Sequence, residues 1–153
     1  KVYHHEKGGL EIIGVSSFQK SRFGIVSIDN GGVTWSMIDI NNPPKGIITY
    51  PIHKNQLSPN AIFNDIERSE IRVVVFSKKQ NLSINFNISE SKNKKMIYFG
   101  TLNYSKELSN NHSLYTFPLI KCIKKYGSYK ITFSGDFDGD VEFYVGDKIK
   151  TQR

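Results

Sequence analysis

Apolar and polar residues alternate with a period of two along much of this chain. In the segment 82–88 the even positions are Leu, Ile, Phe and Ile, whereas the odd positions are Ser or Asn. The segments 129–134 and 141–145 show a similar alternation. Because successive side chains of a β-strand point to opposite faces, this pattern predicts strands with one face in a core and the other in water.

The alternating segments are separated by turns rich in Gly, Asn, Asp and Lys, and together they predict an all-β fold. We expect one domain spanning 1–153, an antiparallel sandwich of two sheets with about ten strands, immunoglobulin-like or jelly-roll in kind. The predicted strands are Leu10–Phe18, Phe23–Ile28, Val33–Met37, Ile47–Ile52, Ile71–Ser77, Leu82–Ile88, Met96–Leu102, Leu114–Ile120, Tyr129–Ser134 and Val141–Val145.

Three segments are predicted to lack strands. Residues 1–9 are polar, and we expect them to be flexible or to be an addition to the natural chain. The stretch His53–Glu70 has no period-two pattern, and Ser58-Pro59 within it could begin one short helix around Asn60–Ile66. Asn103–Ser113 is predicted to be a loop.

Composition excludes some classes of protein. The chain has 38% hydrophobic residues, which suffices for a packed core, and its single cysteine cannot form an internal disulfide. Cys122 lies between Ile120 and Ile123 at the end of a predicted strand, and it is predicted to be a buried, inert thiol. No apolar run is long enough to span a membrane. Four Asn-x-Ser sequons, beginning at Asn81, Asn87, Asn103 and Asn111, favour an extracytoplasmic location.

Positive charge is concentrated in one part of the chain. The net charge is +7, and the segment 76–130 holds ten lysines but only two carboxylates. Such asymmetry favours an anionic partner, although lysines in turns also keep strand edges soluble without any ligand. The predicted contact residues are the lysines of the loops with three nearby tyrosines, namely Lys78, Lys79, Lys92, Lys94, Lys95, Tyr104, Tyr115, Lys121, Lys124, Lys125 and Tyr126.

Two loops resemble known sequence motifs. Asp136, Asp138 and Asp140 are spaced two apart around a glycine, which is a candidate calcium loop, although a Gly/Asp hairpin accounts for the same residues. The segment Asp29–Trp35 resembles the Asp-box hairpin of sialidases and other β-propellers through Gly32, Thr34 and Trp35. In those families the box is structural, so the resemblance implies a tight hairpin with a buried tryptophan.

No set of residues specifies a reaction. The sequence has no Gly-x-Ser-x-Gly elbow, phosphate-binding loop or dinucleotide fingerprint, and no cofactor is predicted. Only four arginines are present, which argues against nucleic acid as the partner. We therefore expect a non-enzymatic binding or adhesion module for a protein or an anionic glycan, including an inhibitor or immunity role.

Two alternatives from other classes stay open. One is a structural domain of a capsid, fibre, pilus or secretion apparatus, which would associate through Val73–Phe76 or through an exposed edge strand. The other is a hydrolase with a dispersed active site, in a cleft that holds a carboxylate pair or a histidine.

Overall fold

The computed structural model describes residues 2–7, 10–15, 22–29, 32–56, 66–67, 69–109 and 111–146. These residues form an all-β structure with twelve strands, two 3-10 turns and no α-helix. The strands are β1 (Val2–Lys7), β2 (Leu10–Val15), β3 (Arg22–Asp29), β4 (Gly32–Asp39), β5 (Gly46–Tyr50), β6 (Glu70–Val75), β7 (Ile84–Glu90), β8 (Met96–Thr101), β9 (Asn103–Ser109), β10 (His112–Pro118), β11 (Gly127–Gly135) and β12 (Gly139–Val145).

Eight strands form a sandwich of two antiparallel sheets, which confirms the predicted fold class. The first sheet has the order β5-β6-β10-β9 and the second has the order β12-β11-β7-β8. The remaining four strands form two separate hairpins, β1–β2 and β3–β4. Neither sheet closes into a barrel.

The core lies between the two sheets and follows the alternation in the sequence. In the second sheet, Ile84, Phe86 and Ile88 of β7 are buried, while Asn85 and Asn87 between them are partly exposed. The same alternation buries residues of β6, β11 and β12, and the resulting cluster includes Ile71, Val73, Val75, Tyr129, Ile131, Phe133, Val141, Phe143 and Val145. Because these side chains interdigitate at the density of a protein interior, they fix the separation of the two sheets.

Several segments differ from the prediction. Residues 103–109 form β9, an edge strand whose side chains are mostly exposed, where a loop was predicted. Residues 2–7 form β1, paired with β2, where we expected a flexible or added segment. The predicted helix around Asn60–Ile66 lies outside the described residues except for Ile66, which lies in a turn.

The chain changes sheets three times, between β6 and β7, between β8 and β9, and between β10 and β11. After β8, the amide of Leu102 donates a hydrogen bond to the carbonyl of Ile84, and β9 then begins in the first sheet. After β10, the 3-10 turn Leu119–Lys121 and a short loop lead to β11 in the second sheet. No helical segment within the described ranges has the length and apolar character needed to cross a membrane.

Candidate functional site

Two lysine-rich loops meet at one end of the second sheet. The β7–β8 turn (91–95) follows Glu90, and Glu90 pairs with Tyr129 at the start of β11. The loop before β11 is fixed to the same end, because the Tyr129 hydroxyl donates to the carbonyl of Lys125 at 2.7 Å. The amide of Ser91 also donates to the carbonyl of Ser128 at 3.0 Å. Strands that are neighbours in space therefore bring together loops that are far apart in sequence.

We call this region the basic end, defined by Lys92, Lys94, Lys95, Lys121, Lys124 and Lys125. All six are exposed, and neither the turn 91–95 nor the loop 119–126 contains an Asp or Glu. The nearest carboxylate along the chain, Glu90, accepts a hydrogen bond from the amide group of Asn93 at 2.5 Å. The basic end therefore carries positive charge that its own loops do not neutralise.

The backbone of both loops is held in place by local contacts. Lys94 has φ 57°, a left-handed conformation that closes the tight β7–β8 turn, and its amide donates to the carbonyl of Glu90 at 2.9 Å. The Lys121 ammonium lies 5.8 Å from the centroid of the Phe117 ring, within range of a cation–π contact. The Lys124 ammonium donates to the carbonyl of Ile120 at 2.6 Å. The loop positions are thus set by the fold, and all six lysines are exposed.

Lys78 and Lys79 lie at the opposite end of the second sheet. They precede β7, whose first residue, Ile84, pairs with Gly135. Since β7 has seven residues, its two ends are about 20 Å apart at the usual rise of a strand. The structure therefore divides the eight predicted lysines into a group of six and a separate pair.

The three predicted tyrosines have different environments. Tyr126 is 61% exposed and lies directly beside Lys125 in the basic end. Tyr104 is half-buried on β9 and its ring packs edge-on against that of Tyr115. Tyr115 is only 1% exposed, and its hydroxyl donates to the carbonyl of Lys79 and accepts from the amide of Leu82. The prediction that Tyr115 contacts a ligand is therefore wrong, because its side chain is part of the core.

Burial also determines the chemistry of Cys122. Its thiol is free, buried and 3.7 Å from the carbonyl oxygen of Pro118. Burial raises the pKa of this thiol to about 12, against the smaller opposing effect of Lys124 and Lys121. At neutral pH the group is protonated and shielded, which is the inert state predicted from its apolar neighbours.

Two of the three aspartates of the candidate calcium loop bond to different protein groups. Asp136 accepts a hydrogen bond from the amide of Ser83 at 2.7 Å, and Asp140 forms an ion pair with Lys130 at 2.7 Å. The hydrogen bond to Asp140 raises the pKa of Lys130. Among the described residues, no three His, Cys, Asp or Glu side chains are grouped so that they could hold a metal ion.

The structure also contains a cavity that the sequence did not predict. Its volume is about 270 Å³, and it lies where β4 and β5 approach the β11–β12 turn. The side chains that matter for its chemistry come from three distant segments, and they are Trp35, His53, Gln56, Phe137, Asp138 and Asp140. Trp35 is half-buried, whereas a buried tryptophan was predicted.

The 3-10 turn Lys54–Gln56 holds two walls of this cavity. The side-chain amide of Gln56 donates to the carbonyl of Trp35 at 2.7 Å and accepts from the amide of Trp35 at 3.4 Å, as a neighbouring strand would. Lys54 forms an ion pair with Glu142 of β12, and this hydrogen bond lowers the pKa of Glu142. One turn therefore links the β3–β4 hairpin to the sandwich.

The assembly alternative named two interfaces, Val73–Phe76 or an exposed edge strand, and the structure places them differently. β6 is a central strand, with Val73 and Val75 buried in the core, so Val73–Phe76 offers no exposed edge. β8 lies at the edge of the second sheet, and its Met96, Ile97 and Phe99 are 61%, 36% and 63% exposed. An edge strand of this kind presents unpaired backbone groups beside apolar side chains.

Comparison of the chain with protein-family models, with curated proteins and with solved structures finds no match.

Proposed function

We propose that this protein is a non-enzymatic binding module, outside the cytoplasm, that recognises an anionic glycan through the basic end. The observation that supports the proposal is the grouping of six exposed lysines on two loops that contain no Asp or Glu, with Glu90 as the one carboxylate next to them along the chain. Uncompensated charge on a rigid frame attracts polyanions and raises the rate at which they associate.

The kind of charge favours a flexible polyanion over a single phosphate group. Lysine ammonium groups act as point charges on mobile stems, whereas arginine forks suit two-pronged recognition of one phosphate or carboxylate. The six ammonium groups are spread over two loops, which fits a polymer with repeated sulfates or carboxylates. Tyr126 adds an exposed ring next to Lys125 in the chain, and such a ring can pack against the apolar face of a sugar.

The experiment compares two double variants with the same change in charge. Lys124→Glu/Lys125→Glu reverses two charges at the basic end, and Lys78→Glu/Lys79→Glu does the same about 20 Å away. Binding to a sulfated polysaccharide is measured for both and for the unmodified protein, at about 50 mM and about 300 mM salt. All four lysines are exposed, so neither variant disturbs the core, and Lys124→Glu also removes the hydrogen bond from Lys124 to the carbonyl of Ile120.

The proposal predicts that the first variant binds about tenfold or more weakly and that the second binds nearly as well as the unmodified protein. Affinity should fall between the two salt concentrations, because exposed charges are screened. Equal weakening of both variants would show attraction to net charge alone. No binding by the unmodified protein at either salt concentration would leave an acidic protein or another chain as the partner.

A second candidate function is assembly through β8, supported by its position at the sheet edge and its exposed apolar residues. The partner would be a second copy, with the two β8 strands antiparallel. This arrangement places the Lys94–Lys95 pair of each copy at opposite ends of the new strand pair, which avoids repulsion between them. Sedimentation analysis tests it, since Phe99→Lys should abolish a dimer without unfolding the protein.

A further inference from the structure

We propose that the cavity beside Trp35 binds a single neutral sugar ring, at a site separate from the basic end. The volume of about 270 Å³ lies just below the range of roughly 300–1,000 Å³ that holds drug-sized ligands, so it matches one ring with its substituents. Its lining combines aromatic and aliphatic side chains with a few polar groups, which is the usual composition of a small-molecule site.

The polar groups of the cavity match the hydroxyls of a sugar. Asp138 is exposed, and in the described part of the chain its carboxylate has no ion pair, so it can accept hydrogen bonds from neighbouring hydroxyls. The amide of Asn55 donates to Nδ1 of His53 at 3.1 Å. In the neutral ring the proton is therefore on Nε2, which makes His53 a donor to a ligand oxygen.

The carboxylates of the cavity disfavour an anionic ligand. Two lysines near it are already paired, Lys130 with the lining residue Asp140, and Lys54, which follows the lining residue His53, with Glu142. The carboxylate of Asp138 is left over, so a ligand with its own negative charge would be repelled. A sugar has an apolar face of C–H groups for Trp35 and hydroxyls for Asp138 and His53.

The walls of the cavity are fixed before any ligand binds. Gln56 holds the backbone of Trp35 from one side, and Lys54 joins the same turn to β12. A site that is already ordered loses little conformational entropy on binding, so even a small ligand can be held. For a ligand of this size we expect a dissociation constant of the order of 1 mM.

Binding can be followed by the fluorescence of Trp35, since it is the single tryptophan of the chain. The intrinsic fluorescence of the full chain is titrated with methyl glycosides of glucose, galactose, mannose and N-acetylglucosamine. At least one should give a saturable change in emission, and glucuronate, which adds a carboxylate to the same ring, should bind at least about tenfold more weakly than glucose. Adenosine serves as the aromatic comparison.

Asp138→Asn removes the unpaired carboxylate while preserving its shape, and it should weaken the glycoside by about tenfold or more. Glu107→Gln, an equal change of charge at an exposed position on β9, is the matched control and should leave binding unchanged. Trp35→Phe keeps an aromatic ring, and its binding is followed by saturation-transfer NMR of the glycoside. Circular dichroism confirms that each variant is folded.

Three results would overturn the assignment. These are no saturable change with any glycoside, stronger binding of adenosine than of every glycoside, or a saturable change that Asp138→Asn leaves intact. Binding of a neutral glycoside should also be insensitive to salt and unaffected by Lys124→Glu/Lys125→Glu. The cavity and the basic end are therefore tested independently, and failure of one proposal leaves the other standing.

Discussion

Removal of the Tyr115 hydroxyl is the sharpest test of how the loop before β7 is held. This hydroxyl donates to the carbonyl of Lys79 at 2.8 Å and accepts from the amide of Leu82 at 3.2 Å. Tyr115→Phe deletes one oxygen, keeps the buried ring, and leaves both backbone groups without this partner. From the sequence alone, Tyr115 is predicted to contact a ligand, in which case the substitution would weaken binding. The structure instead predicts a loss of stability.

The expected loss of stability can be estimated from the two lost hydrogen bonds. Each is worth about 0.5–1.5 kcal/mol net, so the free energy of unfolding should fall by about 1–3 kcal/mol. For a domain of this size, the melting temperature should fall by about 2–4 °C for each kcal/mol. Affinity for the sulfated polysaccharide should be unchanged, because Tyr115 is buried and its hydroxyl contacts the loop opposite the basic end.

Urea unfolding of Tyr115→Phe and of Tyr104→Phe measures this effect. Tyr104 is half-buried, and the described residues offer its hydroxyl no hydrogen-bond partner, so its loss should change stability by less than about 0.5 kcal/mol. Hydrogen exchange of the Leu82 amide should accelerate only in Tyr115→Phe. Equal stability of the two variants, or weaker glycan binding by Tyr115→Phe without loss of stability, would refute the reasoning.

Two further predictions concern the core and the first sheet. The pKa of Cys122 is about 12 in the folded protein and near 9.0 when the thiol is exposed, so the folded state keeps its proton longer and stability should fall as pH rises above 9. Cys122→Ala should remove about 2 kcal/mol of this loss between pH 8 and pH 10.5, measured by urea unfolding. Gly46→Ala would place a methyl group 2.4 Å from the carbonyl oxygen of Val74, a backbone atom, and should lower the melting temperature, as thermal unfolding would show. A Gly46→Ala protein as stable as the original would contradict the close approach of β5 to β6.

The sequence predicted those parts of the fold that depend on residues close together in the chain. The alternation in β7, β11 and β12 depends only on which face of the strand meets the core, and the structure buries the predicted side chains. β9 was missed because both its faces are largely exposed, so it has no apolar row to mark it as a strand. An edge strand of this kind is held mainly by pairing with β10, which is a non-local contact.

The arrangement of the candidate sites depends on the order of strands, which alternation does not encode. The basic end exists because β11 pairs with β7, about forty residues earlier in the chain. The cavity needs Trp35, Gln56 and Asp138 together, and the Gln56 contact alone spans 21 residues. Gln56 carries no sequence signal, since a lone glutamine in a polar loop looks like any solvated side chain.

The same topology separates the two proposed sites. Glu90 and Tyr129 lie at the end of the second sheet that carries the six lysines, whereas the β11–β12 turn with Asp138 lies at the other end, beside Ile84. The distance of about 20 Å exceeds the Debye length at physiological salt, about 8 Å, so the lysines barely change the potential at Asp138. An acidic cavity and a basic end can therefore exist on one small domain without neutralising each other. Because the residues that join them form one closely packed core, we expect a ligand at one site to leave the affinity of the other site unchanged.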